Sequence, residues 1–380
     1  MLKDRNLKVA LVHDFLNQYG GAERVLEVLA EMFPAAPIYT LLYDSERMQG
    51  KFAERKIHTS FLQKFPRYMR RNPKWLLPLL PVAPETFDLR EYDLVISSSG
   101  AWSKGLVTRL DTVHIAYIHS PMRFIWDYNE KYLQEDRQGW LGFFIRPFLS
   151  YLRLWDKLAA DRPDYLIANS KYTAARIEKY YRRESAVIYP PVEMNCESRG
   201  INYEKNSRKP LTEKYFLIVS RLSPYKKIDK AIEAFNKLGL PLVIAGTGKQ
   251  ERYLKSIAKS NIIFLGWVPD EKRVELYADA RAFIFPGADD FGLAPAEATA
   301  HGVPVIALRR GGAKEIMEEG RTGEFFETAT AEAIVEVVRK FAEKEDNYDR
   351  KYIAESAEKF SKERFKKEME KYIENVVSAQ

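Results

Sequence analysis

Short apolar runs alternate with helix-type patterns along nearly the whole chain. Strands separated by helices in steady succession pair in parallel, because a parallel neighbour needs a crossover long enough to hold a helix. In the first half the strand candidates are KVALV (8–12), DLVISSS (93–99), VHIAYIH (113–119), DYLIANS (164–170) and AVIY (186–189). The second half repeats the grammar with YFLIVS (215–220), PLVIAG (241–246), NIIFLG (261–266), RAFIFP (281–286) and VPVIAL (303–308). The expectation is an α/β chain built from doubly wound parallel sheets.

Between the halves, Pro190-Pro191 ends a strand, and residues 195–209 are polar, charged and without apolar periodicity, the pattern of a linker or surface loop. This places one domain at 1–190 and a second at 191–360. The halves share architecture but no detectable sequence repeat. The last segment, SKERFKKEMEKYIENVV, sets Phe365, Met369, Tyr372 and Val376 four, three and four residues apart, giving a helix with one apolar stripe. Periodicity alone does not say which domain that stripe packs against.

Composition narrows the function classes. With 380 residues and 46% hydrophobic content the chain is long and apolar enough for one or two packed domains. No apolar run approaches the ~20 residues that span a bilayer, and MLKDRNLKVALVHDF enters a strand without a signal-peptide pattern. A soluble, cytoplasmic protein is expected. The single cysteine, Cys196, excludes an internal disulfide and a thiolate metal cluster. A net charge of +7 favours anionic partners. The basic residues are scattered over both halves without a nucleic-acid motif, so no nucleic-acid partner is expected.

In doubly wound folds ligands sit beyond the carboxyl ends of the strands, and five such loops carry unusual chemistry. In HDFLNQYGGAERVLEVL, Gly20 and Gly21 precede a helix whose free N–H groups suit a phosphate. In SRLSPYKKIDKAIEAF, Arg221 leaves a strand and Lys226 and Lys227 precede a helix, so two cations can clamp a diphosphate. In IFPGADDFGLAPAEATAHG, Pro295 predicts a helix beginning near Leu293, leaving the N–H groups around Gly292 and Leu293 for hydroxyls or phosphate oxygens. Glu297 in its first turns can accept hydrogen bonds from a vicinal diol, and Asp289 comes from the loop opposite. In AYIHSPMRFIWDY, His119 ends a strand before Ser120-Pro121, where an imidazole reaches a substrate. In GWVPDEK, Gly266, Trp267 and Val268 offer backbone groups and an apolar wall to a base, with Asp270 read as a helix cap.

Taken in this order, the residues resemble a retaining glycosyltransferase of family 4 with the GT-B fold. The acidic pair at E-x7-E spacing, here Asp289 and Glu297 around FGLAPA, is the most specific element, supported by SRLSPYKK, GGAERVL and IHSPMRFIWD. The resemblance extends to bacterial O-antigen-type mannosyltransferases. It implies two Rossmann-like domains facing across a cleft, with the nucleotide sugar on the second and the C-terminal helix, 361–380, crossing back to the first. By the same resemblance, Arg221 and Lys226 hold the donor diphosphate, Glu297 holds the ribose hydroxyls, and Asp289 with Phe291, Gly292 and Leu293 grips the transferred sugar. His119 contacts that sugar near its reactive side, Gly20 and Gly21 lie close to the diphosphate, and Val268 belongs to the donor site. The first acidic position is usually Glu; Asp289 is one methylene shorter, and Asp290 stands beside it as the alternative.

No Asp-x-Asp pair occurs in the chain, so Arg221 and Lys226 are expected to neutralise the leaving group without a metal or other cofactor, the nucleotide sugar being a substrate. With Asp289 and Glu297 assigned to hydroxyls, no carboxylate is left as nucleophile, which favours same-face attack. The stretch KFPRYMRRNPKWLLPLLP (64–81) alternates Lys64, Arg67, Arg70, Arg71 and Lys74 with Phe65, Tyr68, Trp75 and Leu76. That composition suits an anionic membrane surface and a lipid-linked or glycan acceptor. GWLGFFIRPFLSYLRLW (139–155) extends this surface, lines the acceptor site, or forms a buried helix.

Overall fold

The apolar runs fold as parallel strands. In a computed structural model, which describes residues 7–127, 141–194 and 214–378, the first seven strands are β1 (Val9–Leu16), β2 (Ile38–Tyr43), β3 (Ile57–Thr59), β4 (Leu94–Ser99), β5 (Val113–Ile118), β6 (Tyr165–Ala168) and β7 (Ala186–Val187). They form one parallel sheet in the order β3-β2-β1-β4-β5-β6-β7. The other six are β8 (Tyr215–Val219), β9 (Leu242–Ala245), β10 (Ile262–Gly266), β11 (Ala280–Phe285), β12 (Val305–Leu308) and β13 (Gly323–Phe326), ordered β10-β9-β8-β11-β12-β13. In each sheet the chain winds outward from a founding strand, β1 or β8, then returns to that strand's other side. The loops after β1 and β4, and after β8 and β11, therefore meet at a point where the winding reverses, the ligand position of open α/β sheets.

Strands β2, β3 and β13 were not expected from the sequence. β2, IYTLLY, is apolar except for Thr40 and buried at successive positions, hence on both faces, which is why it lacks the alternation of a half-exposed strand. β3 and β13 are short and at sheet edges.

The chain divides into two compact units, one formed by Met1–Pro191 with Phe365–Gln380, the other by Val192–Arg364. The polar stretch 195–209 and Cys196 lie outside the described residues. In the first unit, helix α1 (Gly21–Met32) and the last helix, Lys362–Ser378, cover the sheet: Leu26, Leu29, Ile115, Tyr117, Phe365, Met369 and Ile373 share one buried cluster. The C-terminal stripe differs from the sequence reading at one position. Ile373 is fully buried, whereas Tyr372 is only partly covered, its ring edge-on to Tyr165. The smaller aliphatic side chain fits the packed seam, while the phenol keeps its polar end near water.

Because this helix supplies side chains to the core of the first unit, Phe365→Ala should cost about 3–5 kcal/mol. Urea denaturation would check this; a loss below about 1 kcal/mol would mean the helix only decorates the surface.

Candidate functional site

In the second unit the loop after β8, Ser220 to Lys227, meets the loop after β11, Pro286 to Gly292. The approach is so close that a Cβ on Gly287 would lie 2.8 Å from Lys226 Cα. This contact joins two loops far apart in sequence, and Lys226 Nζ forms an ion pair with Asp289 Oδ2. The ammonium also lies over the rings of Tyr225 and Phe285, 5.3 and 5.6 Å from their centroids, and so is held in place by aromatic faces as well as charge. Arg221 has an exposed side chain at the same carboxyl edge. Of the two aspartates, Asp290 is 4% exposed and turned inward, while Asp289 is the one that meets Lys226.

Helix α2 (Leu293–Ala300) starts at the residue the proline predicts. Gly292 precedes it at φ +97°, a backbone position that disfavours side chains. The first intrahelical donor is Ala296, bonding Gly292 O at 3.2 Å, so the amides of Gly292 and Leu293 lie at the helix mouth. Glu297 is largely buried: its Oε2 accepts from Tyr277 Oη at 3.2 Å and pairs with Arg273 Nε at 3.3 Å. Its carboxylate is thus oriented by a helix the sequence reading did not connect to it, Asp270–Asp279. Asp270 is the first residue of that helix rather than its cap, and its carboxylate takes Arg273 Nη1 at 2.6 Å. Val268, half-buried, and Trp267, exposed, lie in the preceding loop. A second glycine pair was also missed: Gly312 N donates to Asp289 O at 3.1 Å, bracing the acidic loop. Its sequence signal, Gly311-Gly312 just after a strand, matches that of Gly20-Gly21.

In the first unit, Gly20 corrects an expectation. Its amide is not free for a phosphate, because Glu23 Oε2 accepts it at 2.8 Å in a capping box. The carboxylate three residues into the helix satisfies that orphan donor and places negative charge at the helix start. His119, one residue beyond β5, is partly exposed. Its Nε2 is 2.8 Å from Ser98 Oγ, and desolvation first, then the nearby His13, pulls its pKa down to about 3. Its backbone is pinned on both sides, by N–H donation to Ser99 O at 2.8 Å and by Asn169 Nδ2 donating to its carbonyl at 2.9 Å.

The basic stretch does not form a single face. Leu76 is fully buried and Phe65 packs on the same core, while Arg67 and Arg71 are paired with Glu46, at 3.2 Å for Arg71. Lys64, Lys74, Trp75 and Tyr68 are exposed, and Arg70 is half-buried. Residues 128–140 lie outside the described chain, and the helix Leu141–Ala160 that follows is mixed: Leu152 and Trp155 are buried, Tyr151, Leu154 and Leu158 exposed. No helix among the described residues is long and apolar enough to cross a membrane.

Two Rossmann-like units with ligand loops at the winding reversals define the GT-B fold. Solved structures agree: a glucose- and UDP-bound Anabaena protein, Alr3699/HepE, superposes with a TM-score of 0.70 at 17% identity, covering 97% of this chain and 100% of that one. Family models match both halves, "Glycosyltransferase Family 4" over residues 19–195 and "Glycosyl transferases group 1" over residues 201–363. The chain belongs to these family 4, group 1 glycosyltransferases. Among curated relatives, the alpha-1,3/1,6-mannosyltransferase alg2 of Schizosaccharomyces pombe is 27% identical over 42% of this chain and 40% of its own length. The D-rhamnosyltransferase WbpZ of Pseudomonas aeruginosa is 28% identical over 49% and 50%. The chain thus spans about half the length of these relatives, whereas the ALG2 mannosyltransferase of Dictyostelium discoideum aligns over 85% of this chain and 87% of its own at 24% identity.

His114 in β5, fully buried beside Ser97, shares the fate of His119: desolvation takes its pKa to about 3. An unfolded histidine titrates near 6.5, so between about pH 6.5 and 3 the unfolded chain binds more protons and stability falls as the pH falls. The urea midpoint should drop from pH 7 to pH 5, before carboxylates titrate, and His119→Asn should flatten that slope. An unchanged slope in the variant would show that His119 is readily protonated in the fold.

Proposed function

We propose that the chain is a retaining hexosyltransferase that moves mannose from GDP-mannose onto a glycan or lipid-linked glycan acceptor in cell-surface polysaccharide synthesis. The observation that carries this reading is the meeting of Lys226 and Asp289 where the winding of the second sheet reverses. A diphosphate entering there competes for the ammonium. Lys226 then faces the phosphates, and the released Asp289 carboxylate accepts hydrogen bonds from hydroxyls of the transferred sugar. Arg221, at the same edge, adds a second fixed cation, so charge developing on the leaving diphosphate is stabilised without a metal. Glu297, already oriented by Arg273 and Tyr277, accepts the ribose hydroxyls. The amides of Gly292 and Leu293 face the sugar, and Val268 forms part of the base wall.

Same-face transfer follows from these roles: both carboxylates are engaged with hydroxyls, and the departing phosphate takes the acceptor's proton. The mannose assignment draws on the mannosyltransferase names among the relatives and on the O-antigen-type resemblance. At the surface, Lys64, Lys74 and Trp75 with the half-buried Arg70 supply the peripheral contact with an anionic inner leaflet; Arg67 and Arg71 contribute less, being paired with acids. Vesicle flotation that ignores anionic lipid would remove that membrane role.

A thermal-shift screen of nucleotide sugars in metal-free buffer tests the donor. GDP-mannose at ~100 times its dissociation constant should stabilise the protein by about 2.7 kcal/mol. A shift with UDP-glucose or UDP-N-acetylglucosamine and none with GDP-mannose would overturn the donor assignment. Donor binding without turnover on any acceptor would overturn the enzymatic reading.

A further inference from the structure

At the carboxyl end of the first sheet, four side chains that the proposed transfer does not otherwise use as a set form a line. Glu23 Oε1 lies 3.6 Å from His13 Nε2, His13 Nδ1 is 3.1 Å from Ser98 Oγ, and Ser98 Oγ is 2.8 Å from His119 Nε2. His13 on β1 and Ser98 on β4 are register partners in the sheet, so the strand pairing itself sets them side by side. His13, Ser98 and Glu23 are buried, at 2%, 0% and 5% exposure, which keeps water from scrambling the line. The partly exposed His119 ends it, and its Nδ1 has no hydrogen-bond partner among the described residues.

We infer that Glu23 sets the tautomer of His119 through His13 and Ser98, so that Nδ1 of His119 is presented to the substrate as a bare hydrogen-bond acceptor. The polarity runs one way. The Glu23 carboxylate is too far from His13 for a formed hydrogen bond, but its charge fixes the His13 proton on the facing nitrogen, Nε2. The relay holds for neutral His13, whose Nδ1 is then an acceptor. The Ser98 hydroxyl must donate to it, and the serine oxygen is left to accept from His119 Nε2–H. His119 therefore has no proton on Nδ1. The desolvation that lowers its pKa keeps the ring in this neutral form. Because the other Glu23 oxygen caps Gly20, the orientation of the carboxylate is fixed by the glycine loop itself. Glu23, His13 and Ser98 are thus positioning residues acting through His119. The role assigned to His119 rests on the transfer proposed above, and a sugar hydroxyl that donates to Nδ1 is the substrate group this arrangement selects.

Glu23→Gln provides the test. Its amide oxygen keeps the Gly20 cap, so its NH2 dipole faces His13 and favours an unprotonated Nε2 there. The proton moves to His13 Nδ1, Ser98 reverses, and His119 becomes protonated on Nδ1 instead of Nε2. The chain has five histidines, so nitrogen-labelled histidine in this whole 380-residue chain reports each ring's tautomer by NMR. The expected result is His119 protonated on Nε2 in the wild type and on Nδ1 in Glu23→Gln, with no effect of Glu23→Gln once Ser98→Ala has cut the line. An unchanged His119 tautomer in Glu23→Gln, or an Nδ1-protonated His119 in the wild type, would overturn the inference. In transfer assays Glu23→Gln should lower kcat roughly tenfold, the scale of losing one well-placed hydrogen bond, and leave GDP affinity unchanged. A reversed tautomer with unchanged kcat would overturn the link to substrate. A wild-type protein that transfers no sugar from any donor would instead refute the hexosyltransferase reading, while the tautomer measurement would still decide the relay.

Discussion

The second unit depends on a lysine and an aspartate, 63 residues apart in sequence, being brought into contact by a parallel sheet. Such a pair is an expensive way to stabilise a fold, since partly desolvated charges recover in mutual attraction little more than they lose in hydration. Its value lies elsewhere. Lys226 is held between an acid and two aromatic faces at the carboxyl edge of the sheet, the position at which open α/β sheets take ligands. Much of the surrounding structure serves to make the contact possible. β8 and β11 are adjacent because the winding reverses between them, and Gly287 lets the two loops approach to backbone distance.

The first unit solves a related problem with backbone amides gathered on a buried carboxylate and with a histidine-serine line. Asp14 Oδ atoms receive the amides of Gly100, Trp102 and Ser103, tying the loop after β4 to β1, and the histidine-serine line crosses the same strands one residue earlier. Both are consequences of β1 and β4 being neighbours. His13 and Asp14 interrupt the apolar run of β1, and their buried polar atoms are met by Ser98 of β4, by the loop after it and by Glu23 of α1.

The sheets were largely legible because their strands are short, apolar and bounded by helices. The start of α2 was legible because Pro295 carries a local steric rule. Long-range partners were not. Nothing near Glu297 in sequence announces Arg273 or Tyr277, and nothing near His119 announces Ser98, His13 or Glu23, because these contacts arise from sheet order rather than spacing. The free amide expected at Gly20 failed for a different reason: Glu23, three residues on, was a readable capping signal, and it occupies the donor that glycine exposes. In the basic stretch, counting cations overlooked Glu46 and Asp44, which the fold brings to Arg67 and Arg71.

If the exchange at Lys226 is what prepares this chain for its donor, the two residues must be energetically coupled in binding. Calorimetric titration of GDP and GDP-mannose into the wild type, Lys226→Met, Asp289→Asn and the double variant measures that coupling directly. Lys226→Met should weaken GDP by roughly tenfold or more. Asp289→Asn, by freeing the ammonium, should leave GDP binding intact or tighter while weakening GDP-mannose. Unaltered GDP affinity in Lys226→Met, or additive effects in the double variant, would mean that the ion pair is part of the scaffold and that the donor is held elsewhere.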